Sequence, residues 1–180
     1  MKKLQKLLVV IALAGLLTAC GKGGEPKTET KGKCDVFECI KKLGVNDSLT
    51  TINSTIGLDG KQISESDYST TYTWELSDDS SIDASISKSD NKVTYKISYP
   101  TKAIGKRADF SKWDEIKSKL NSKEGLTYDE FVKLVGGVEG VLTSKSSSSL
   151  TYHWYNKDGG YLFGYFNADT KMCTMASGRF

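Results

Sequence analysis

Gly125-Leu126-Thr127-Tyr128-Asp129-Glu130-Phe131-Val132-Lys133-Leu134-Val135-Gly136-Gly137 is the most legible stretch of this 180-residue chain. Thr127 and Glu130 have the spacing of a capping box, in which a hydroxyl accepts from the third helical N–H and the acid reaches back to the cap. From that start Phe131, Leu134, Val135 and Val138 share one helical face, and Gly136-Gly137 supplies the stop. Upstream, Ser111-Lys112-Trp113-Asp114 has the same cap spacing, which predicts a first helix with Trp113, Ile116 and Leu120 along one side.

The same plan is legible 79 to 80 residues earlier. Phe37, Ile40 and Leu43 form a short apolar stripe before Gly44, and Leu49, Ile52 and Ile56 form another before Gly57. Adding 79 carries Ile52, Ile56 and Gly57 onto Phe131, Val135 and Gly136. After the helices the apolar period falls to two, as in half-buried strands. Tyr72, Trp74 and Leu76 alternate with polar residues, as do Ile82, Ala84 and Ile86, then Val93, Tyr95, Ile97 and Tyr99. Adding 80 takes Tyr72, Trp74 and Asp78 onto Tyr152, Trp154 and Asp158, and adding 79 takes Asp90 and Lys92 onto Asp169 and Lys171. The pattern predicts an α+β chain of two tandem repeats, residues 34–100 and 101–180, each a helix-loop-helix followed by a three- or four-stranded antiparallel sheet. Trp74, Trp113 and Trp154 are assigned to the core.

The 125–136 segment resembles the Gly-Met-Thr-x-x-Glu/Gln-Val opening of the second helix in the β-lactamase-inhibitory-protein-like fold, shared with small envelope-assembly lipoproteins of the SmpA/OmlA type. The resemblance covers both repeats and is weaker in the first, where Asn46-Asp47-Ser48-Leu49-Thr50-Thr51-Ile52 stands in place of the Gly-Leu-Thr run. It implies a protein-binding surface. The cysteine pattern departs from the one disulfide per repeat of the tandem inhibitory proteins.

Comparing the copies position by position isolates a candidate site. If Ile82, Ala84 and Ile86 face the helices, so do Leu162, Gly164 and Phe166. The opposite face then changes from Ser81, Asp83 and Ser85 to Tyr161, Phe163 and Tyr165, and Thr73 and Glu75 become His153 and Tyr155. These five residues are the expected partner-binding set, because Tyr and Phe bring large contact area and exposed apolar patches mark contacts. Burial of the same face against the first repeat is the competing expectation. The tips at Ser77-Asp78-Asp79-Ser80 and Asn156-Lys157-Asp158-Gly159-Gly160 read as turns.

The N-terminus reads as a lipoprotein signal. Lys2, Lys3 and Lys6 precede an apolar run from Leu7 to Leu17, and Leu17-Thr18-Ala19-Cys20 resembles the bacterial lipobox. The run falls short of the ~20 residues of a spanning helix. Residues 1–19 are therefore the expected signal peptide and Cys20 the expected lipidation site, carrying diacylglycerol and palmitate. Residues 20–33 read as a flexible tether that holds the chain on the extracytoplasmic face of the cell membrane.

The formal charge of +3 resides in the three lysines of that signal, so the remainder is neutral and nothing points to nucleic acid. The neutrality hides an asymmetry of −5 over residues 35–99 and +3 over 100–180. Apart from Cys20 there are Cys34, Cys39 and Cys173, which permit one disulfide; Cys34–Cys39 and Cys39–Cys173 both stay open, with the local pair favoured.

Enzyme chemistry finds little support. One histidine excludes most His-dependent triads and metal sites by supply, and no metal or cofactor is expected. The Gly-rich pieces at 57–60 and 136–140 lack the spacing and Lys of a phosphate loop. Asp78-Asp79 and Asp114-Glu115 read as turn and helix-start acids, and residues 144–149 as a serine-rich loop. The expected function is a membrane-anchored protein-binding module, inhibition being one form of that, with an envelope structural or assembly role as the alternative.

Overall fold

The structure is a computed structural model that describes residues 31–99, 106–122 and 125–180. The expected signal peptide, Cys20 and the tether up to residue 30 lie outside the described residues. Residues 31–33 belong to the fold rather than to a free tether: the Gly32 N–H donates to Glu75 O (2.9 Å) and the Lys33 N–H to Ile56 O (2.8 Å).

In chain order the elements are α1 (Val36–Lys42), α2 (Leu49–Ile56), β1 (Lys61–Glu65), β2 (Ser69–Glu75), β3 (Ser81–Ser87), β4 (Val93–Ser98), α3 (Trp113–Leu120), α4 (Tyr128–Leu134), β5 (Val141–Lys145), β6 (Ser149–Tyr155), β7 (Tyr161–Asn167) and β8 (Cys173–Arg179). The eight strands form one antiparallel sheet in the order β1 to β8. This overturns the expected architecture of two helix-loop-helix repeats with a sheet each: the described chain is 37% strand against 21% helix, and its sheet is continuous. Continuity comes from β4 pairing with β5 at Tyr95↔Lys145 and Lys96↔Ser144. Both β1 and β5 escape the period-two reading because each carries a bulge, at Ile63 and Thr143, and neither buries a residue fully. The supposed serine loop therefore ends β5 and begins β6, with only residues 146–148 as the turn.

Registers in the two halves match at 80. Lys61↔Thr73 becomes Val141↔His153, and Trp74↔Ile82 becomes Trp154↔Leu162. The positive φ of Asn91 (56°) recurs at Lys171 (58°), so Asp90 and Lys92 are equivalent to Thr170 and Met172, one residue off the expected correspondence. Cross-strand partners share a face, so one row runs Tyr72–Ala84–Tyr95–Lys145–Leu150–Phe166–Cys173 beneath the helices.

Helices of seven or eight residues are too short to persist alone and are held by burial on that face. Ile52, Ile56, Leu43 and Val36 pack with Trp74, Ile82 and Tyr95 in one cluster; Phe131, Val135, Ile116 and Leu126 pack with Trp154, Leu162 and Phe166 in a second. Asp35, Ser48 and Thr127 cap α1, α2 and α4 by accepting from N–H groups three residues on, and Thr127 and Glu130 form the full capping box. The expected box at Ser111–Asp114 does not form: α3 starts from Lys112 with no side-chain cap bond, and the Ser111 hydroxyl donates to Asp109 (2.9 Å). Phe37 also departs from its stripe; it is 44% exposed and leans on Tyr99, while Val36 and Cys39 turn inward. Trp113 is half-buried, with its ring edge-on to Phe180.

Each half seats an indole over a glycine in the loop between the second helix and the sheet. Trp74 Nε1 donates to Leu58 O (3.1 Å) and Trp154 Nε1 to Val138 O (2.8 Å). A Cβ on Gly60 or Gly140 would lie 2.4 or 2.7 Å from those rings, which no side chain permits.

Candidate protein-binding face

The face of the sheet opposite the helices changes character along its width. One row reads Thr73–Asp83–Lys96–Ser144–Thr151–Tyr165–Met175, polar as far as β6 and apolar beyond it. The next rows add His153↔Phe163↔Ser177 and Tyr155↔Tyr161↔Arg179. All five expected contact residues are thereby brought together on β6 and β7.

Their rings touch one another. Tyr161 stacks with Phe163 (6.4 Å between centroids), Phe163 meets Tyr165 edge-on (5.6 Å), and His153 lies 5.7 Å from Phe163. Tyr161 and Tyr165 are 39% and 37% exposed, with Phe163, His153 and Tyr155 half-buried between them. Mutual shielding is the cause, and beneath it Thr151 is 8% exposed although it faces away from the helices. Burial holds the His153 imidazole below its usual pKa and raises that of Tyr155, so both are neutral near pH 7.

The competing expectation, that this face is covered by the first half, does not describe the seam. The halves meet edge to edge at β4 and β5, and the aromatic face begins on β6, the strand beyond that seam, and continues across β7. Met175 (51% exposed) and Arg179 belong to the face and are missing from the expected set. Alternation in the last strand carries the signal, but a bulge between the Tyr165 and Phe166 pairings shifts its register by one residue.

Cys34 and Cys39 form the disulfide, with Cα atoms 5.8 Å apart, and Cys173 is free. Cys173 occupies in β8 the place of Val93 in β4, packs as a small apolar residue, and has its thiol pushed up to about 11 by burial. The expected turn acids act as such. Burial works to raise the Asp78 pKa, but bonds from the Ser80 hydroxyl and N–H and from the Val36 N–H outweigh it and hold the carboxyl below its usual value. Asp79 pairs with Lys31 and Asp114 with Lys117. Among the described residues no three His, Cys, Asp or Glu side chains are placed to hold a metal, and no helix is long and apolar enough to cross a membrane.

No family model, curated protein or solved structure matches the chain.

Proposed function

We propose that this chain is a lipid-anchored, extracytoplasmic binding module, not an enzyme, that takes a protein partner on the aromatic face of β6–β8. The observation that carries the reading is the contrast across one continuous sheet. The outer residues Thr73, Glu75, Ser81, Asp83 and Ser85 become His153, Tyr155, Tyr161, Phe163 and Tyr165, while neither core requires the change. Aromatic side chains are enriched in binding hot spots, and Tyr adds a hydroxyl to its contact area. A standard interface covers about 800 Å² per partner, so Met175, Arg179 and the 156–160 turn would complete the rim. The anchor is carried by the Leu17-Thr18-Ala19-Cys20 motif and the basic and apolar segments before it.

The test is capture from an envelope extract by the immobilised chain, beside Phe163→Asp checked for folding by circular dichroism. A protein retained by the parent and lost from the folded variant is the expected result. Equal capture by both would remove the face from the function.

A further inference from the structure

We propose that the two open edges of the sheet, β1 and β8, join copies of this chain head to tail, repeating between molecules the seam that joins β4 to β5 within one. This goes beyond the binding face, which lies on the flat of the sheet and stays free when edges pair.

The edges of the two halves are equivalent. β5 stands in the second half where β1 stands in the first, with the same register to the next strand and the same bulge, Thr143 for Ile63. β8 likewise stands where β4 stands. Tyr95 and Lys96 oppose Ala84 and Asp83; Ala176 and Ser177 oppose Gly164 and Phe163. The internal seam pairs Tyr95↔Lys145 and Lys96↔Ser144. Its intermolecular counterpart pairs Ala176 with Glu65, and Ser177 with Ser64, of the next copy.

The two strands are prepared alike for it. The first residue of each is covered by the linker between its helices: the Val93 N–H donates to Val45 O (2.8 Å) and the Cys173 N–H to Leu126 O (2.7 Å). The middle of β4 pairs with β5, whereas the outer edge of β8 meets no strand among the described residues, and every residue of β1 is exposed. The β8 bulge precedes Met175 and leaves the pairing residues regular. Charge favours the same order, because head-to-tail contact sets the first half, at −5, beside the second half of a neighbour, at +3. Two backbone pairs make a short seam, so the contact is weak in dilute solution and gains from confinement at a surface. An interface of this kind joins unlike patches and therefore extends into rows or rings.

Directly opposed residues of antiparallel strands have Cα atoms ~4.5–5.5 Å apart, within disulfide reach. The full chain is prepared as Ser64→Cys and, separately, as Ser177→Cys, concentrated to the ~1 mM range that a short tether provides, and oxidised. Cys20→Ser is included in every preparation to remove the N-terminal thiol, Cys34 and Cys39 are already bonded, and the buried Cys173 does not compete. The Lys96→Cys/Ser144→Cys double variant, placed at the known seam, must close internally and fixes the oxidation conditions. The expected result is disulfide-linked dimer only when the two single variants are mixed, and a ladder of multimers when both changes share one chain. Absence of the mixed dimer while the control closes would overturn the proposal. So would dimer from either single variant alone, which would mark a symmetric contact. Capture through Phe163 is read separately, so either idea can fail without the other.

Discussion

The loop that leads from helix to sheet is held in both halves, but by different side chains. In the first half Asn53 Oδ1 accepts from the Gly60 N–H (3.0 Å) and from Trp74 Nε1 (3.1 Å), while its amide donates to Asp59 (3.0 Å). In the second half the Tyr128 hydroxyl accepts from the Gly140 N–H (3.2 Å) and donates to Glu139 (2.6 Å). The same loop groups, a glycine N–H and an acid, are met from the last turn of α2 in one case and the first turn of α4 in the other. Tyr128 also brings a ring that packs on Tyr152 (4.5 Å) and Phe166 (5.3 Å). The groove at the helix start accordingly shrinks from about 630 Å³, where Leu49 stands, to about 420 Å³. Side chains inside the fold can thus be exchanged when the polar groups beneath them stay satisfied. The outer face obeys no such constraint, so its aromatic content calls for a reason outside the fold.

The largest test of that contrast is in the cores. Trp154 lies against Phe131 (4.6 Å), Phe166, Tyr128 and Tyr152, whereas Trp74 has only Tyr72 as an aromatic neighbour among the described residues. Removing a buried Trp costs about 3–5 kcal/mol, and Trp154→Ala is expected at the upper end with Trp74→Ala below it. Urea unfolding of both variants measures the difference. Equal losses would mean that the second core gains nothing from its rings beyond the area they bury.

Next in size are the two loop anchors. Asn53→Ala strands the Gly60 N–H and removes one of two acceptors from Trp74, and each buried group left unpaired costs about 1–3 kcal/mol. Tyr128→Phe keeps the ring and strands the Gly140 N–H at the same cost of about 1–3 kcal/mol, but takes no acceptor from Trp154. The expected order in denaturation midpoint is Asn53→Ala below Tyr128→Phe. A reversed order would show that the second loop depends on its tyrosine hydroxyl more than the first on its amide.

These features differ in how far the sequence announces them. Core-facing residues of β2, β3, β6 and β7 are legible because one face is buried and the side-chain period survives. The capping box at Thr127 is legible because both of its bonds are local. Ser111–Asp114 has the same letters, but Ser111 is engaged by Asp109, two residues upstream, and a spacing rule does not register that competitor. The joining of the halves is illegible for another reason: its seam is two backbone pairs, and backbone carries no sequence signal. The side chains that secure the seam are scattered. Lys145 donates to Leu43 O (2.6 Å), Tyr99 to Leu142 O (2.7 Å) and Ser144 to Tyr95 O (3.0 Å). The aromatic face is legible only through comparison of the halves, and its outer rim at Met175 and Arg179 is concealed by a bulge.

The smallest expected effect separates the outer faces by pH. Burial among rings lowers the His153 pKa below its usual 6.5, and Thr73, in the equivalent position, does not titrate. Between 6.5 and the folded value the unfolded chain binds a proton that the folded chain refuses. Stability is therefore fully present above about pH 6.5 and declines as pH falls through that window. The lowered carboxylates, Asp78 and Glu130 among them, also lose stability on acidification, but below their ordinary values of 3.8 and 4.5. Because His153 is the sole histidine, the slope between about pH 7.5 and 5.5 belongs to it. The urea midpoint of the parent should fall across that range while that of His153→Thr stays level. A partner that covers the face would press the imidazole pKa lower still, so capture should weaken in the parent alone as pH falls below the folded value of that pKa. An equal slope in both proteins would detach the histidine from the aromatic layer and leave the face defined by its tyrosines and Phe163.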